Sequence, residues 1–174
     1  MALNPTKEVS VYTDGACRGN PGPGGYGIIL EYKATKKEFA EGFRWTTNNR
    51  MELKALVKAL SLLKEPCRLK ITTDSKYLLG GIDEGWLHLW KSRGWKTKQG
   101  DTVQNRDLWE KLDELLKPHL SNFIWVKGHA DNPENNRCDE LAVVAAIEKA
   151  ISIDEAYEAL NPKPEAQQYS GGNG

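Results

Sequence analysis

Short runs rich in apolar residues recur three times within the first 45 residues of the chain. They cover residues 8–14, 25–33 and 37–45, and the first alternates between apolar and polar positions. Runs of this length and pattern predict β-strands. Because the connections between them are short, we expect an antiparallel meander of three strands at the start of the chain.

The apolar spacing becomes helical after residue 45. A stripe of five aliphatic residues recurs at intervals of three and four, which predicts a helix over residues 46–64; the stripe consists of Leu53, Leu56, Val57, Leu60 and Leu63. Pro66 ends this helix, and residues 68–74 form the next strand-like run. A strand–helix–strand crossover favours parallel pairing of the new strand with an earlier one.

The second half of the chain continues this alternation. Residues 75–117 have helical patterning interrupted at 94–101, residues 122–128 form a fifth strand-like run, and residues 133–150 form a last long helix. The sequence therefore predicts an α/β protein with a mixed five-stranded sheet, in which two parallel strands follow three antiparallel ones.

Composition fits one globular domain with an appendage. The chain has 174 residues, of which 39% are hydrophobic and 28% charged, enough for a core in a single domain. We expect residues 1–150 to form the domain and residues 151–174 to form an acidic, flexible tail. Within that tail, residues 152–160 can form a short helix, with Ser152 and Glu155 as a capping box.

Two further properties narrow the class of protein. No apolar run is long enough to span a bilayer and the amino end has no apolar signal core, so we expect a cytoplasmic protein. The three cysteines are odd in number and lack CxxC spacing, which suggests neither a disulfide framework nor a zinc site.

The zero net charge hides a local basic segment. From residue 150 onward the chain has four acidic residues and one lysine, a net charge of −3. The remaining residues therefore carry a net charge of +3. Residues 86–98 contain four bases and three tryptophans but no acid. Trp86 and Trp90 are suited either to the core or, with Lys91 and Lys96, to a surface that contacts phosphates and sugars.

A literal match to the dinucleotide-binding fingerprint proves to be misleading. Residues 22–27, GPGGYG, satisfy G-x-G-x-x-G. That fingerprint requires a helix next, so that its amino end meets the pyrophosphate. A strand-like run follows here, and we therefore predict no cofactor site.

Two strand ends repeat the same residue pair, and this repetition predicts a site. The first strand ends in VYTDG and the fourth in ITTDS, so parallel pairing would bring Asp14 and Asp74 together at the carboxyl edge of the sheet. Glu52 borders the core-facing stripe of the first helix, and Asp139 lies in the first turns of the last helix. Individually, these acids have ordinary explanations as turn, cap or helix-dipole residues.

A shared cation explains the four acids better when they are taken together. Converging carboxylates repel one another unless a cation neutralises them. Oxygen ligands without cysteine or clustered histidine favour Mg²⁺ or Mn²⁺ over zinc. His129 lies in the polar loop before the last helix, either as a surface residue or as a proton shuttle beside this edge.

At this point the chain resembles a known family, the type I ribonucleases H of the bacterial kind. The resemblance spans residues 8–146 and rests on six segments in the family's order: YTDGACRGNPGPGGYG, TTNNRMEL, TTDSKY, WKSRGWKT, DLW and WVKGHADNPENNRCDELA. It implies a ribonuclease H-like fold, with helices on both sides of the sheet. It also implies endonucleolytic hydrolysis of the RNA strand of RNA–DNA hybrids, leaving 5′-phosphate and 3′-hydroxyl ends.

The resemblance also assigns roles to residues. It implies that Asp14, Glu52, Asp74 and Asp139 are catalytic and hold two Mg²⁺ ions, for which Mn²⁺ can substitute, and that His129 assists. Hybrid contacts are expected from the backbone of the glycine-rich stretch and from a set of side chains: Cys17, Asn20, Asn48, Asn49, Lys76, Trp86, Trp90, Lys91 and Lys96. We expect a monomer whose partner is the hybrid, with no obligate protein partner and no membrane.

Some positions depart from the family pattern. Lys76 stands where glutamine is common, Ser92 where a second lysine is common, and Asp131 where the residue is often neutral. The hybrid is therefore expected to bind more weakly or through other residues. Two alternatives stay open at this stage: a DNA-cleaving or strand-transfer enzyme on the same sheet, and a non-catalytic binding module.

Overall fold

A computed structural model of the chain describes residues 4–166. The chain forms six strands and six helices in these residues. In chain order they are β1 (Glu8–Cys17), β2 (Gly22–Tyr32), β3 (Thr35–Thr46), α1 (Asn48–Ser61), β4 (Arg68–Thr73), α2 (Lys76–Ile82), α3 (Trp86–Ser92), α4 (Arg106–Leu116), β5 (Leu120–Trp125), α5 (Pro133–Glu148), β6 (Ala150–Ser152) and α6 (Glu155–Leu160).

One mixed sheet organises the molecule, with strand order β5-β4-β1-β2-β3-β6. The β1–β2 and β2–β3 pairs are antiparallel, whereas β1–β4 and β4–β5 are parallel. The predicted meander and parallel crossover are thus confirmed. The sheet has six strands rather than the five predicted, because β6 pairs in parallel with the outer edge of β3.

Helices cover both faces of the sheet. A Cβ atom on Gly15 of β1 would lie 2.9 Å from the Met51 Cβ of α1. The next residue, Ala16, pairs with Gly25 of β2, where a Cβ would lie 2.6 Å from the Ala142 oxygen of α5. Successive residues of a strand face opposite sides, so α1 and α5 lie on opposite faces.

The glycine-rich stretch has a different role from the one predicted. Gly24, Gly25 and Gly27 are buried beneath helices, and any side chain on Gly25 would collide with the α5 backbone. The lack of side chains at Gly25 and Gly27 lets α5 approach one face of the sheet closely, and Gly24 leaves room for Met51 of α1 on the other face. The expectation that their backbone faces the substrate is therefore wrong for these three residues.

The core lies mainly between the sheet, α1 and α4. Trp109 of α4 is fully buried, as are Leu53 and Leu56 of the predicted stripe. Burying such side chains stabilises a fold by about 1.5–3 kcal/mol each. None of the helices among residues 4–166 combines the length and apolar character needed to cross a membrane.

Residues 150–160 differ from the predicted flexible tail. They form β6 and α6, and Asp154 between these elements is fully buried. The predicted capping box is wrong, since Ser152 belongs to β6 and α6 begins after Asp154. Residues 162–166 are exposed and have no regular structure, and the rest of the predicted tail lies outside the described residues.

Candidate active site

Parallel pairing of β1 and β4 sets the position of two carboxylates. Their register matches Tyr12 with Thr72. An aspartate follows two residues later in each case, Asp14 within β1 and Asp74 directly after β4. Asp14 and Asp74 therefore reach the carboxyl edge of the sheet side by side, as the repeated Thr-Asp pair predicts. Asp14 is only 3% exposed.

The first turns of α1 place the third carboxylate, that of Glu52, beside Asp14 and Asp74. Thr47 caps this helix by accepting a hydrogen bond from the Arg50 N–H at 3.3 Å. The cap fixes the first turn, and Glu52 follows on the buried side with 4% exposure. One carboxylate oxygen from each of Asp14, Glu52 and Asp74 lies within 4.8 Å of the other two.

Burial and mutual repulsion raise the pKa values of Asp14 and Glu52 in this cluster. Burial, followed by the nearby Asp74 charge, raises the pKa of Asp14 to about 8. Burial and then the Asp14 charge raise the pKa of Glu52 well above its ordinary value. The Glu52 Oε2 atom is buried and has no hydrogen-bond partner among residues 4–166.

These properties fit a divalent cation. A cation would favour ionisation of all three acids and would give the orphaned Glu52 oxygen a partner. The donors are all carboxylate oxygens, which Mg²⁺ and Mn²⁺ prefer. The cluster is therefore chemically suited to hold such an ion.

Asp139 and His129 lie at the rim of the same cavity. This cavity has a volume of about 460 Å³ and is lined by the three clustered carboxylates together with Asp139 and His129. Asp139, on α5, has a side chain that is 32% exposed, and the His129 side chain is 83% exposed. His129 Nδ1 lies 3.9 Å from the Asp139 carboxylate, so the structure brings all five predicted catalytic residues to one place.

Two features that position Asp74 were not predicted from the sequence. Trp125, at the end of β5, donates its indole N–H to the Asp74 carbonyl oxygen at 3.1 Å. A Cβ on Gly128 would lie 2.8 Å from Asp74 Oδ2, so this glycine lets the histidine loop pass directly over the carboxylate. The only signal in the sequence is that Gly128 immediately precedes His129.

Several predicted substrate-binding residues surround the cavity. Asn48, Asn49 and Lys76 line it, and the Lys76 ammonium lies 5.5 Å from the centre of the Trp125 ring. Asn20 stands beside them, since its side-chain oxygen accepts a hydrogen bond from the Asn48 N–H at 3.1 Å. The three asparagines thus form a polar border at the start of α1, and Lys76 adds to it at the start of α2.

Cys17 is half-buried and faces inward. Its thiol lies 3.5 Å from each of two carbonyl oxygens, those of Gly22 and Thr46, and can donate its single proton to either. The contacts join the end of β1 to the end of β3. These contacts give Cys17 a structural role, and its contact with substrate stays a prediction.

The aromatic residues of the basic segment lie apart from the cavity. Trp86 and Trp90 are half-buried, with ring centres 6.1 Å apart, and Trp90 also packs against the buried Trp109 at 5.4 Å. Neither residue lines the carboxylate cavity. Trp90 thus has the core contact considered from the sequence, and both rings keep an accessible side.

The lysines of this segment have local partners. Lys91 forms an ion pair with Asp113 at 3.0 Å, and Lys96 donates to the Thr102 hydroxyl at 3.3 Å. Both are exposed. Ion pairs on a surface are weak, about 0.2–1 kcal/mol, so a phosphate can compete for Lys91.

Together, the fold and site define a class of protein. A mixed α/β sheet with clustered carboxylates at its carboxyl edge is suited to metal-dependent phosphoryl transfer or hydrolysis. Comparison with known proteins agrees and narrows this class. The sequence model of the family described as RNase H matches residues 6–147.

Relatives with the same description are close in sequence. Proteins named Ribonuclease H from Salmonella arizonae and from Salmonella newport are each 53% identical to this chain over 153 residues, which cover 88% of the chain and 97% of each relative. The chain belongs to the ribonuclease H family.

Solved structures share the fold. The crystal structure of LC9-RNase H1, described as a type 1 RNase H with the type 2 active-site motif, is 33% identical with a TM-score of 0.76, covering 92% of this chain and 83% of that one. An RNase H1 from the archaeon Halobacterium salinarum is 26% identical with a TM-score of 0.58, covering 79% and 96% of the two chains.

Proposed function

We propose that this chain hydrolyses the RNA strand of RNA–DNA hybrids at the carboxylate cluster. The activity follows from its membership of the ribonuclease H family. The observation that carries the assignment of the site is the convergence of three acids, two of them almost fully buried, around an orphaned Glu52 oxygen. Such an arrangement is unfavourable without a cation and suited to catalysis with one.

The four carboxylates have a common role in this proposal. Asp14, Glu52 and Asp74 hold divalent cations at the base of the cavity, and Asp139 completes the set from its rim. When bound, two Mg²⁺ ions, or Mn²⁺ in their place, supply an activated water and stabilise the leaving oxygen. The products are a 3′-hydroxyl and a 5′-phosphate.

His129 serves in proton transfer at the rim. Its side chain is almost fully exposed and lies near Asp139, so it reaches both the solvent and the scissile phosphate region. A histidine can exchange protons near neutral pH. It relays protons between the reacting groups and water without holding the cation.

The two strands of the hybrid bind to different surfaces. RNA is recognised through its 2′-hydroxyls in a shallow minor groove, and Asn20, Asn48 and Asn49 provide amide groups beside the cavity. The DNA strand lies toward Trp86, Trp90 and the basic segment, where aromatic rings and lysines meet sugars and phosphates. The protein acts as a monomer on this substrate.

Replacing Asp14 tests the proposal. Asp14→Asn replaces a charged ligand with a neutral amide, so we expect hybrid cleavage to fall at least about a hundredfold, since a metal ion contributes several kcal/mol to the transition state. Cleavage of labelled hybrid, duplex RNA and duplex DNA, with and without Mg²⁺, provides the measurement.

A matched control uses an exposed carboxylate on α5. Glu148 lies about 14 Å along this helix from Asp139, and Glu148→Gln removes the same charge without touching the cavity. It should cleave hybrid at the wild-type rate. Wild-type cleavage by Asp14→Asn would contradict the assignment of the site, and cleavage of duplex DNA would favour a different nuclease.

A further inference from the structure

Trp125 contacts both the carboxylate cluster and a lysine beside it. Its indole N–H donates to the Asp74 carbonyl oxygen at 3.1 Å, and the Lys76 ammonium lies 5.5 Å from the centre of its ring. Asp74 belongs to the cluster, and Lys76 is the one lysine of residues 4–166 that lines the same cavity. A single side chain thus connects an acid of the site with the cation beside it.

The register of the sheet sets the position of Trp125. It lies opposite Thr73 of β4, and the N–H of the next residue, Val126, donates to the Thr73 oxygen at 3.0 Å. These contacts place the indole at the carboxyl edge of β5. Because the residue is 43% exposed, core packing does not account for a tryptophan here.

Helix stability does not account for Lys76 either. It is the first residue of α2, and the first turn of this helix contains no acidic residue. A positive charge at the amino end of a helix is opposed by the helix dipole. The lysine is exposed, so its side chain is available for a contact outside the helix.

Lys76 is not paired with the acids around it. Four carboxylates line its cavity, and a lysine side chain is long and flexible enough to seek them. In the described part of the chain, however, no carboxylate oxygen lies within 4.0 Å of Lys76 Nζ. The ammonium lies over the Trp125 ring instead, where the negative face of the indole attracts it.

This placement matters for both ligands of the site. An ammonium paired with Asp74 would occupy a carboxylate oxygen that a divalent cation needs and would reduce the negative charge of the cluster. An ammonium held at the ring leaves these oxygens available. It also stays exposed, as a lysine that contacts a phosphate must be.

We propose that Trp125 is a positioning residue that holds the Lys76 ammonium away from the carboxylate cluster. The acids then stay available to the cation, and the lysine contacts a phosphate of the bound hybrid. The phosphate contact rests on the proposed function. The effect on the cation can be measured without any hybrid.

Calorimetric titration of the full chain with Mg²⁺ tests the inference. Trp125→Leu removes the ring and lets Lys76 pair with Asp74, so the dissociation constant of Mg²⁺ should rise about three- to tenfold. Adding Lys76→Gln to this variant should restore the constant to within about twofold of wild type, since the competing cation is gone. A general structural defect would not be rescued in this way.

Two further variants separate the ring from the hydrogen bond. Trp125→Phe keeps an aromatic face but has no N–H, and should bind Mg²⁺ within about twofold of wild type. Tyr32→Leu is the matched control. It removes another exposed ring with lysine ammonium groups nearby, 4.4 Å and 5.4 Å from its centre, and should change neither Mg²⁺ binding nor hybrid cleavage.

Kinetics on labelled hybrid provide a second measurement. Lys76→Gln should raise KM about three- to tenfold and leave kcat nearly unchanged, because it removes a binding contact. Trp125→Leu should raise KM in the wild-type background and cause no further rise in the Lys76→Gln background.

Several results would overturn the inference. They are unchanged Mg²⁺ affinity in Trp125→Leu, failure of Lys76→Gln to rescue it, and a loss in Trp125→Phe as large as in Trp125→Leu. Lys76→Gln alone decides the question if Trp125→Leu does not fold, because Mg²⁺ binding tightened beyond about twofold would show that the lysine already competes with the cation. A wild-type chain that binds Mg²⁺ without cleaving hybrid would overturn the proposed function and the phosphate contact, but not the effect of Trp125 on the cation.

Discussion

Asp14 shows how a single residue can serve function at the expense of stability. The carboxylate is buried next to two other acids, so burial and the Asp74 charge raise its pKa to about 8. The sequence reveals its position, because a strand end and a parallel neighbour place Asp14 and Asp74 together. It does not reveal the burial, which depends on how α1 packs over the strand end.

Stability should therefore depend on Asp14 and pH together. The folded-state pKa lies above the unfolded value of about 3.9, so ionisation of Asp14 opposes folding as pH rises through this range and the cost is complete above about 8. In EDTA at pH 9, Asp14→Asn should raise the free energy of unfolding by about 1–3 kcal/mol. Near pH 3.5 the gain should vanish.

Urea denaturation at the two pH values measures this effect. Glu148→Gln is the control, because its exposed carboxylate has no comparable environment and its removal should leave stability unchanged at both pH values. A loss of stability at pH 9 on replacing Asp14 would show that its ionised form contributes to the fold, contrary to this expectation.

At the scale of elements, Arg50 joins three parts of the chain next to the site. It is buried and lies two residues before Glu52 on α1. Its guanidinium donates to Asp107 of α4 and to Asp154 before α6, each at 2.8 Å. Thr46 also donates to Asp154 at 2.8 Å. The segment 150–160 is thus linked to the beginning of α1 through the buried contacts of Asp154 with Arg50 and Thr46.

This part of the fold could not be predicted from local pattern. A three-residue strand at the edge of β3 is too short to show the alternation of apolar and polar residues that identifies a strand. In the sequence, Asp154 looks like one more acid in an acidic tail. Its buried position exists only because Arg50 comes from a distant helix. By contrast, β1 to β5 and the long helices carry their pattern locally and were predicted within a few residues.

Removing the Asp154 side chain should destabilise the fold. Asp154→Ala leaves Arg50 buried with only one of its two carboxylates, and we expect a loss of about 2–4 kcal/mol at pH 7. Glu155→Ala, at the adjacent exposed position, should cost less than about 0.5 kcal/mol. Chemical denaturation of the two variants gives the comparison.

The same variant has a defined pH dependence. Burial favours the neutral acid, but hydrogen bonds from Arg50 and the charge of Lys54 outweigh it and lower the pKa of Asp154. The stabilisation is therefore present above the unfolded pKa of about 3.9 and is lost as pH falls through the lower folded value. An equal loss in Asp154→Ala and Glu155→Ala at pH 7 would contradict the role of Asp154.

At the scale of the whole molecule, the sheet separates two surfaces of different chemistry. Its carboxyl edge carries the acidic cavity, and the opposite end carries a groove of about 470 Å³ lined by Val9, Leu30 and Phe39 and bordered by Lys37 and Lys64. The sequence predicted the acidic cavity because its carboxylates lie near the ends of strands and helices that can be recognised from the sequence. It did not predict the groove, whose residues become neighbours only when four elements meet.

Cation binding should stabilise the whole fold. Because a divalent ion relieves the repulsion in the cluster and does not bind an unfolded chain as well, Mg²⁺ at about one hundred times its dissociation constant should add about 2.7 kcal/mol to the free energy of unfolding. Thermal unfolding in EDTA and in Mg²⁺ measures the shift. Asp14→Asn should show a much smaller shift, and an equal shift would place the ion elsewhere.

The clustered carboxylates are separated along the chain, with Asp14 in β1, Glu52 in α1 and Asp74 just after β4. No fragment that lacks one of these elements holds the complete cluster. A nascent chain that has not yet been synthesised as far as α5 also lacks Asp139. In the proposed site Asp139 comes from α5, so the full set of four carboxylates assembles only after this late helix has packed against the sheet. The proposed chemistry is therefore a property of the folded domain and of none of its separate elements.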